Sequence, residues 1–172
     1  MAAAAELFTA VLFAYLFERY GPSWELLLMA VTGSFFLLVA IIDLKYRRVP
    51  NVLIFPAAAV ALLLHSVPPG KNTVAALLGG AFGLAPFLFV ALLRPGDIGG
   101  GDIKLAALIG LTAGFPLVMW ALALGIAAGG LTAIVLLLSH RWGPKSHIPY
   151  APFLCLGAMC ALLYPLPLAM LP

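Results

Sequence analysis

The chain is 172 residues long, 65% apolar and only 9% charged, whereas an average soluble domain is roughly 45–50% apolar and about 25% charged. That balance excludes a water-soluble globular fold. The net charge of +3, from nine Lys/Arg against six Asp/Glu, sits singly or in threes beside apolar runs, not on the soluble basic face a nucleic-acid binder needs.

The composition predicts one membrane-embedded domain over residues 1–172, an all-α, polytopic helical bundle with six to seven transmembrane helices and membrane lipids as partners. The opening MAAAAELF lacks the basic n-region of a cleavable signal, so the first apolar run, 3–17, is expected as a retained span. Further helices are predicted over 24–43, 52–65, 73–93, 103–113, 115–139 and 152–171. The second, fourth, sixth and seventh reach the length of about 17–25 apolar residues that a crossing requires. The fifth, cut from the sixth by Gly114 and Pro116, suits a half-helix or re-entrant element unless it crosses. Gly79 and Gly83, and Gly125 and Gly129, have the small-xxx-small spacing of close helix contacts. Pro56, Pro86 and Pro165 fall inside apolar runs, where kinks are expected.

Lys and Arg set the orientation, since cytoplasmic loops carry an excess of both. With the C-terminal end of the second helix inside, Lys45, Arg47, Arg48, Arg94, Lys104, Arg141 and Lys145 are cytoplasmic, and Arg19 and Lys71 external. The expectation is a multi-pass protein of the plasma (inner) membrane with its N-terminus inside.

The six acids are Glu6, Glu18, Glu25, Asp43, Asp97 and Asp102. Asp43 ends the apolar stretch 35–42 and precedes Lys45, Arg47 and Arg48. A carboxylate at the inner edge of hydrocarbon is costly, which marks it as functional; pairing with the neighbouring cations is the plainer alternative. Asp102 follows Gly99-Gly100-Gly101 in a loop expected on the same membrane face. The glycines permit backbone angles and close approaches that side chains forbid, and Asp102 is expected to open the fifth helix as an N-cap residue. A flexible capped loop accounts for the Gly and Asp, but not for an intramembrane Asp at the same face. The loop lacks the spacing and the preceding strand of a phosphate-binding loop.

Two carboxylates at one site suit aspartic proteolysis, where one takes a proton from water and the other donates one to the scissile carbonyl. Asp102 at a helix N-terminus is the expected base, and Asp43 at a helix C-terminus the proton-bearing partner. Such a dyad needs neither metal nor organic cofactor.

Gly99-Gly100-Gly101-Asp102 fits a GxGD signature. Joined to Ile42-Asp43-Leu44-Lys45-Tyr46-Arg47-Arg48-Val49-Pro50-Asn51, it resembles the type IV prepilin peptidases and their archaeal preflagellin relatives. Ile148-Pro149-Tyr150-Ala151-Pro152-Phe153 is similar to the family's Pro-aromatic-small-Pro entry to the last helix. The resemblance, from about residue 35 to 162, implies a membrane aspartic endopeptidase that cuts the short basic leader from a prepilin-like membrane protein (Flp/Tad pilin or preflagellin) on the cytoplasmic side. It implies Asp43 and Asp102 as catalytic residues and Gly99 and Gly101 as shaping the loop. Larger bacterial members also N-methylate the new terminus and carry an insertion with paired Cys-x-x-Cys motifs. Here Cys155 and Cys160 lie in one apolar segment, pointing apart, and methyl transfer is not expected.

Asp97 could assist the site or merely solvate its loop. Lys104 could neutralise Asp102 or a substrate carboxylate, or simply snorkel. Lys45, Arg47 and Arg48 are expected to meet anionic lipid, since they would repel a basic leader. His65, His140 and His147 lack metal-ligand spacing. No serine has a base placed for nucleophilic attack. The rival class is a proton-coupled transporter or a non-enzymatic membrane assembly subunit, using the same acids to carry protons or hold helices.

Overall fold

The computed structural model describes residues 2–66, 72–96, 98–139 and 149–165. Among them are seven helices and no strand: α1 Ala2–Tyr20, α2 Trp24–Tyr46, α3 Asn51–Ser66, α4 Thr73–Leu93, α5 Gly100–Ala113, α6 Leu117–Leu138 and α7 Ala151–Leu163. Lys71, Asp97, His140, Arg141, Lys145 and His147, all weighed above, lie outside the described residues.

Side-chain caps fix two of the helix starts. Ser23 accepts the amide of Leu26 at 3.1 Å at the head of α2, and Asn72 accepts those of Val74 at 2.9 Å and Ala75 at 3.4 Å at the head of α4. Pro56 and Pro86 lie inside α3 and α4 as expected. Pro165 does not lie inside α7. That helix ends at Leu163, short of the predicted 171, because the residue before a proline is steered out of the α region, and Tyr164 takes φ −129°, ψ 69°.

Three helices, α2, α4 and α6, are long and apolar enough to cross a membrane, with 23, 21 and 22 residues. At 1.5 Å per residue they are roughly 31–35 Å long, matching a hydrocarbon core of about 30 Å. Only 17%, 28% and 28% of their spanning windows are buried by the protein itself, so most of that apolar surface faces outward. The reverse holds for the two shortest helices. α5, with 14 residues, touches α3, α4, α6 and α7 and buries Leu105, Ala106, Leu108, Ile109 and Gly110. α7, with 13, packs on α2, α5 and α6 and buries most of its length. A helix of about 20 Å needs no lipid match when its neighbours wrap it. The bundle is therefore an all-α membrane fold with three helices of spanning length around a short-helix centre.

The predicted glycine contacts form. A Cβ at Gly79 would overlap Gly110 O of α5, and one at Gly83 would overlap Ala106 O, so α4 lies backbone to backbone on α5. On the other side Gly125 meets α7, where a Cβ would stand 3.0 Å from Leu154 Cα, and Gly157 answers it from α7. These approaches pack α5 and α7, whose first turns reach the site, against α4 and α6.

Candidate active site

Asp43 stands in the last full turn of α2 and is only 5% exposed, the one charged residue among the buried side chains described. Its Oδ2 has no hydrogen-bond partner among the described residues, while Ala151, the first residue of α7, turns its backbone N–H toward the carboxylate. Arg47 ends α2 in the left-handed region, φ 51° and ψ 42°, and its N–H donates to Asp43 O at 2.7 Å. It is the sole non-glycine residue with positive φ among those described. The conformation costs roughly 1–2 kcal/mol relative to glycine.

Asp102 comes from the opposite wall. The sequence reading made it the N-cap of a helix starting at 103; instead Gly99 is the N-cap, α5 starts at Gly100, and Asp102 sits in its first turn. The amides of Asp102 and Ile103 bond to Gly99 O at 3.0 and 3.4 Å, so the glycines themselves adopt helix, which moves the boundary back. None of Gly99, Gly100 and Gly101 uses a positive φ. Their value lies in size. A Cβ at Gly101 would stand 2.9 Å from Val49 Cβ, and one at Gly99 would stand 3.3 Å from Asp102 Oδ2.

The two aspartates share one cavity of about 710 Å³, lined by Ile42, Asp43 and Tyr46 of α2, the segment Arg47–Pro50, and Gly99–Asp102. Their charges are close enough to act on each other, and Cys155 of α7 feels both. Tyr150 leans over the same end of the bundle, its ring 6.3 Å from that of Phe87, against Gly129 and within electrostatic reach of Asp102. Asp43, Asp102, Gly99 and Gly101 are thus brought together. Asp97 lies outside the described residues.

Lys104 does not bond Asp102: its Nζ donates to Asn51 Oδ1 at 2.9 Å and lies 5.7 Å from the Phe55 ring, tying α5 to the start of α3. Arg47 and Arg48, expected to face lipid, line the cavity. Lys45 stacks 5.1 Å from the Tyr46 ring. The sequence reading did not find Val49, Asn51 or the Ala151 amide as parts of the site. Only the Pro-aromatic-small-Pro similarity hinted at the last. Cys155 is buried, Cys160 exposed, and both are free. Among the described residues no cluster of His, Cys, Asp or Glu is built for a metal ion.

Fold and site define a class: a helical membrane protein with two aspartates from different helices facing one cleft beside the glycine-rich start of α5. Residues 30–134 match the model of the Type IV leader peptidase family, and the chain belongs to that family. It is 37% identical over 164 residues to a Bacillus subtilis (strain 168) protein named prepilin leader peptidase/N-methyltransferase, covering 94% of this chain and 65% of that one. Proteins of the same name from Pseudomonas aeruginosa and Stutzerimonas stutzeri are 26% and 25% identical over 164 residues, covering 92% of this chain and 57% of each. The chain therefore spans less than two thirds of the length of these relatives. No solved structure matches it.

Proposed function

We propose that this protein is a membrane aspartic endopeptidase that removes the short basic leader from type IV prepilin-like precursors, acting at the cytoplasmic face of the plasma membrane. Membership of the leader peptidase family and the names of its relatives support the reaction class. The observation that carries the mechanism is the shared cavity of Asp43 and Asp102. One carboxylate takes a proton from water as it attacks the scissile carbonyl, and the other donates a proton to the carbonyl oxygen. Asp102, at the positive end of α5, is the base, and the deeply buried Asp43 is the donor. Roles then exchange as the leaving amine is protonated. The open glycine wall admits an extended substrate backbone between the two acids, so orientation adds to acid–base catalysis. The proposal is confined to leader cleavage: no Cys-x-x-Cys pair is present in the sequence.

The test is cleavage of a prepilin-like precursor by membranes carrying the wild type, Asp43→Asn or Asp102→Asn, with the thermal midpoint of each purified variant as a control for folding. Each substitution is expected to lower the rate by about a hundredfold to ten-thousandfold, the range of a lost general acid or base. Normal cleavage by either folded variant removes the dyad mechanism.

A further inference from the structure

Lys104 follows Asp102 by two residues in the first turn of α5, yet its ammonium is bound to a neutral group. Its Nζ donates to Asn51 Oδ1 at 2.9 Å and stands 5.7 Å from the centre of the Phe55 ring, within reach of a cation–π contact. Asn51 and Phe55 are four residues apart and share one face of α3, so together they form a single seat for the ammonium. The amides of Leu53 and Ile54 bond to Pro50 O, so α3 starts without help from the Asn51 side chain, whose oxygen accepts from Lys104 instead. Among the described residues this is the one hydrogen bond between the segment 47–51 and α5.

We infer that Lys104 and Asn51 are positioning residues of the cleavage reaction, a tie that sets the separation of Asp43 and Asp102. Neither residue lines the cavity, so each acts through the acids and not on the substrate. Both ends of the tie lead to an acid by a short path. On one side Asn51 follows Pro50, whose ring fixes its φ, and the segment runs back to Arg47, whose N–H donates to Asp43 O at 2.7 Å. On the other, Lys104 and Asp102 belong to the same helical turn. Gly101, three residues before Lys104, shares its face of α5 and meets Val49, where a Cβ would stand 2.9 Å from Val49 Cβ. The segment therefore touches α5 at two points of different kind. The Val49 contact limits how closely the two walls approach, and it offers little against their parting. A directional hydrogen bond from a charged donor resists parting.

This inference rests on the leader-peptidase reading, and the experiment separates the two. Wild type, Lys104→Met, Asn51→Ala, the double variant and Lys104→Arg are assayed on a prepilin-like precursor in membranes, and thermal midpoints are measured on the purified proteins. Lys104→Met and Asn51→Ala are each expected to lower kcat about tenfold with KM within about twofold of the wild type, because the tie places the acids and does not bind substrate. The double variant falls no further than either single one, since each removes the same bond. Lys104→Arg, which keeps a charged donor, recovers part of the rate, and the thermal midpoints stay close to that of the wild type. If Lys104→Met does not fold, Lys104→Gln takes its place.

Unchanged kinetics in the single variants, losses that multiply in the double variant, a loss carried by KM, or a loss that tracks the thermal midpoint overturns this inference alone. So does a loss in Lys104→Met with none in Asn51→Ala, the pattern of an ammonium acting on Asp102 by charge. Absence of cleavage by the wild type overturns the function reading together with it.

Discussion

Gly101 faces Val49 so closely that one added methyl decides whether Asp102 keeps its place. A Cβ there stands 2.9 Å from Val49 Cβ and 3.5 Å from Val49 N, so either the segment after α2 or the first turn of α5 must move. The first turn of α5 carries Asp102 and the segment after α2 continues the helix that carries Asp43, and misplacement by about an ångström can cost roughly a hundredfold in rate. Gly101→Ala is therefore expected to lower kcat about tenfold to a hundredfold with little loss of thermal stability, and Val49→Gly in the same chain to restore part of it. Full activity in Gly101→Ala, or no rescue, overturns this account.

The acids themselves were legible in the sequence, because an Asp closing an apolar run and an Asp after three glycines are each unusual in a membrane chain. The roles of Val49, Asn51 and the Ala151 amide were not. Val49 and Asn51 fall within the family-like segment 42–51, but what each touches shows only once a distant helix is laid beside it. Lys104 illustrates the same limit. Its residue type suggested charge, and the fold instead put its ammonium on the neutral amide of Asn51.

At the scale of the element, helix existence followed from apolar length and glycine spacing, while boundaries followed from local hydrogen bonds. The start of α5 moved from 103 to Gly100 because Gly99 O accepts the first amides. The end of α7 moved from 171 to Leu163 because Pro165 stops it. The Gly79–Gly110 contact holds α5 against α4. A methyl at Gly110 would overlap Gly79 O and lie 2.9 Å from Gly80 N, both rigid backbone atoms. Gly110→Ala is expected to cost about 1–3 kcal/mol, the usual range for overpacking, and to lower activity by shifting the helix that bears Asp102. Gly130→Ala is the control, because no atom lies within 4 Å of a Cβ built there. Unfolding of the purified variants in denaturing detergent measures both, and equal stability of the two would refute the contact's role.

For the whole molecule, sidedness is a matter of where the cations sit. Among the described residues Lys45, Arg47, Arg48, Arg94 and Lys104 gather at the end that holds the two acids, and Arg19 lies at the other, with the length of α2 between them. The positive-inside rule supports the proposed cytoplasmic placement of the cavity. In a chain lacking its own cysteines (Cys155→Ala, Cys160→Ala), Lys45→Cys is expected to react with an impermeant thiol reagent only from the cytoplasmic side. Ser23→Cys should react only from outside, and the opposite pattern would invert the proposed topology.

Composition and unbroken apolar runs determined that this chain lives in a membrane as helices, since a backbone in lipid must satisfy its hydrogen bonds within a helix or a closed barrel, and a barrel strand alternates where these runs do not. Residue type and local spacing also marked Asp43 and Asp102 as the residues to watch. Tertiary structure decided which helices face outward, that the two shortest ones fill the centre, and that arginines read as lipid contacts line the cavity. It did so because burial by neighbours, unlike hydropathy, is a property of packing between segments far apart in the chain.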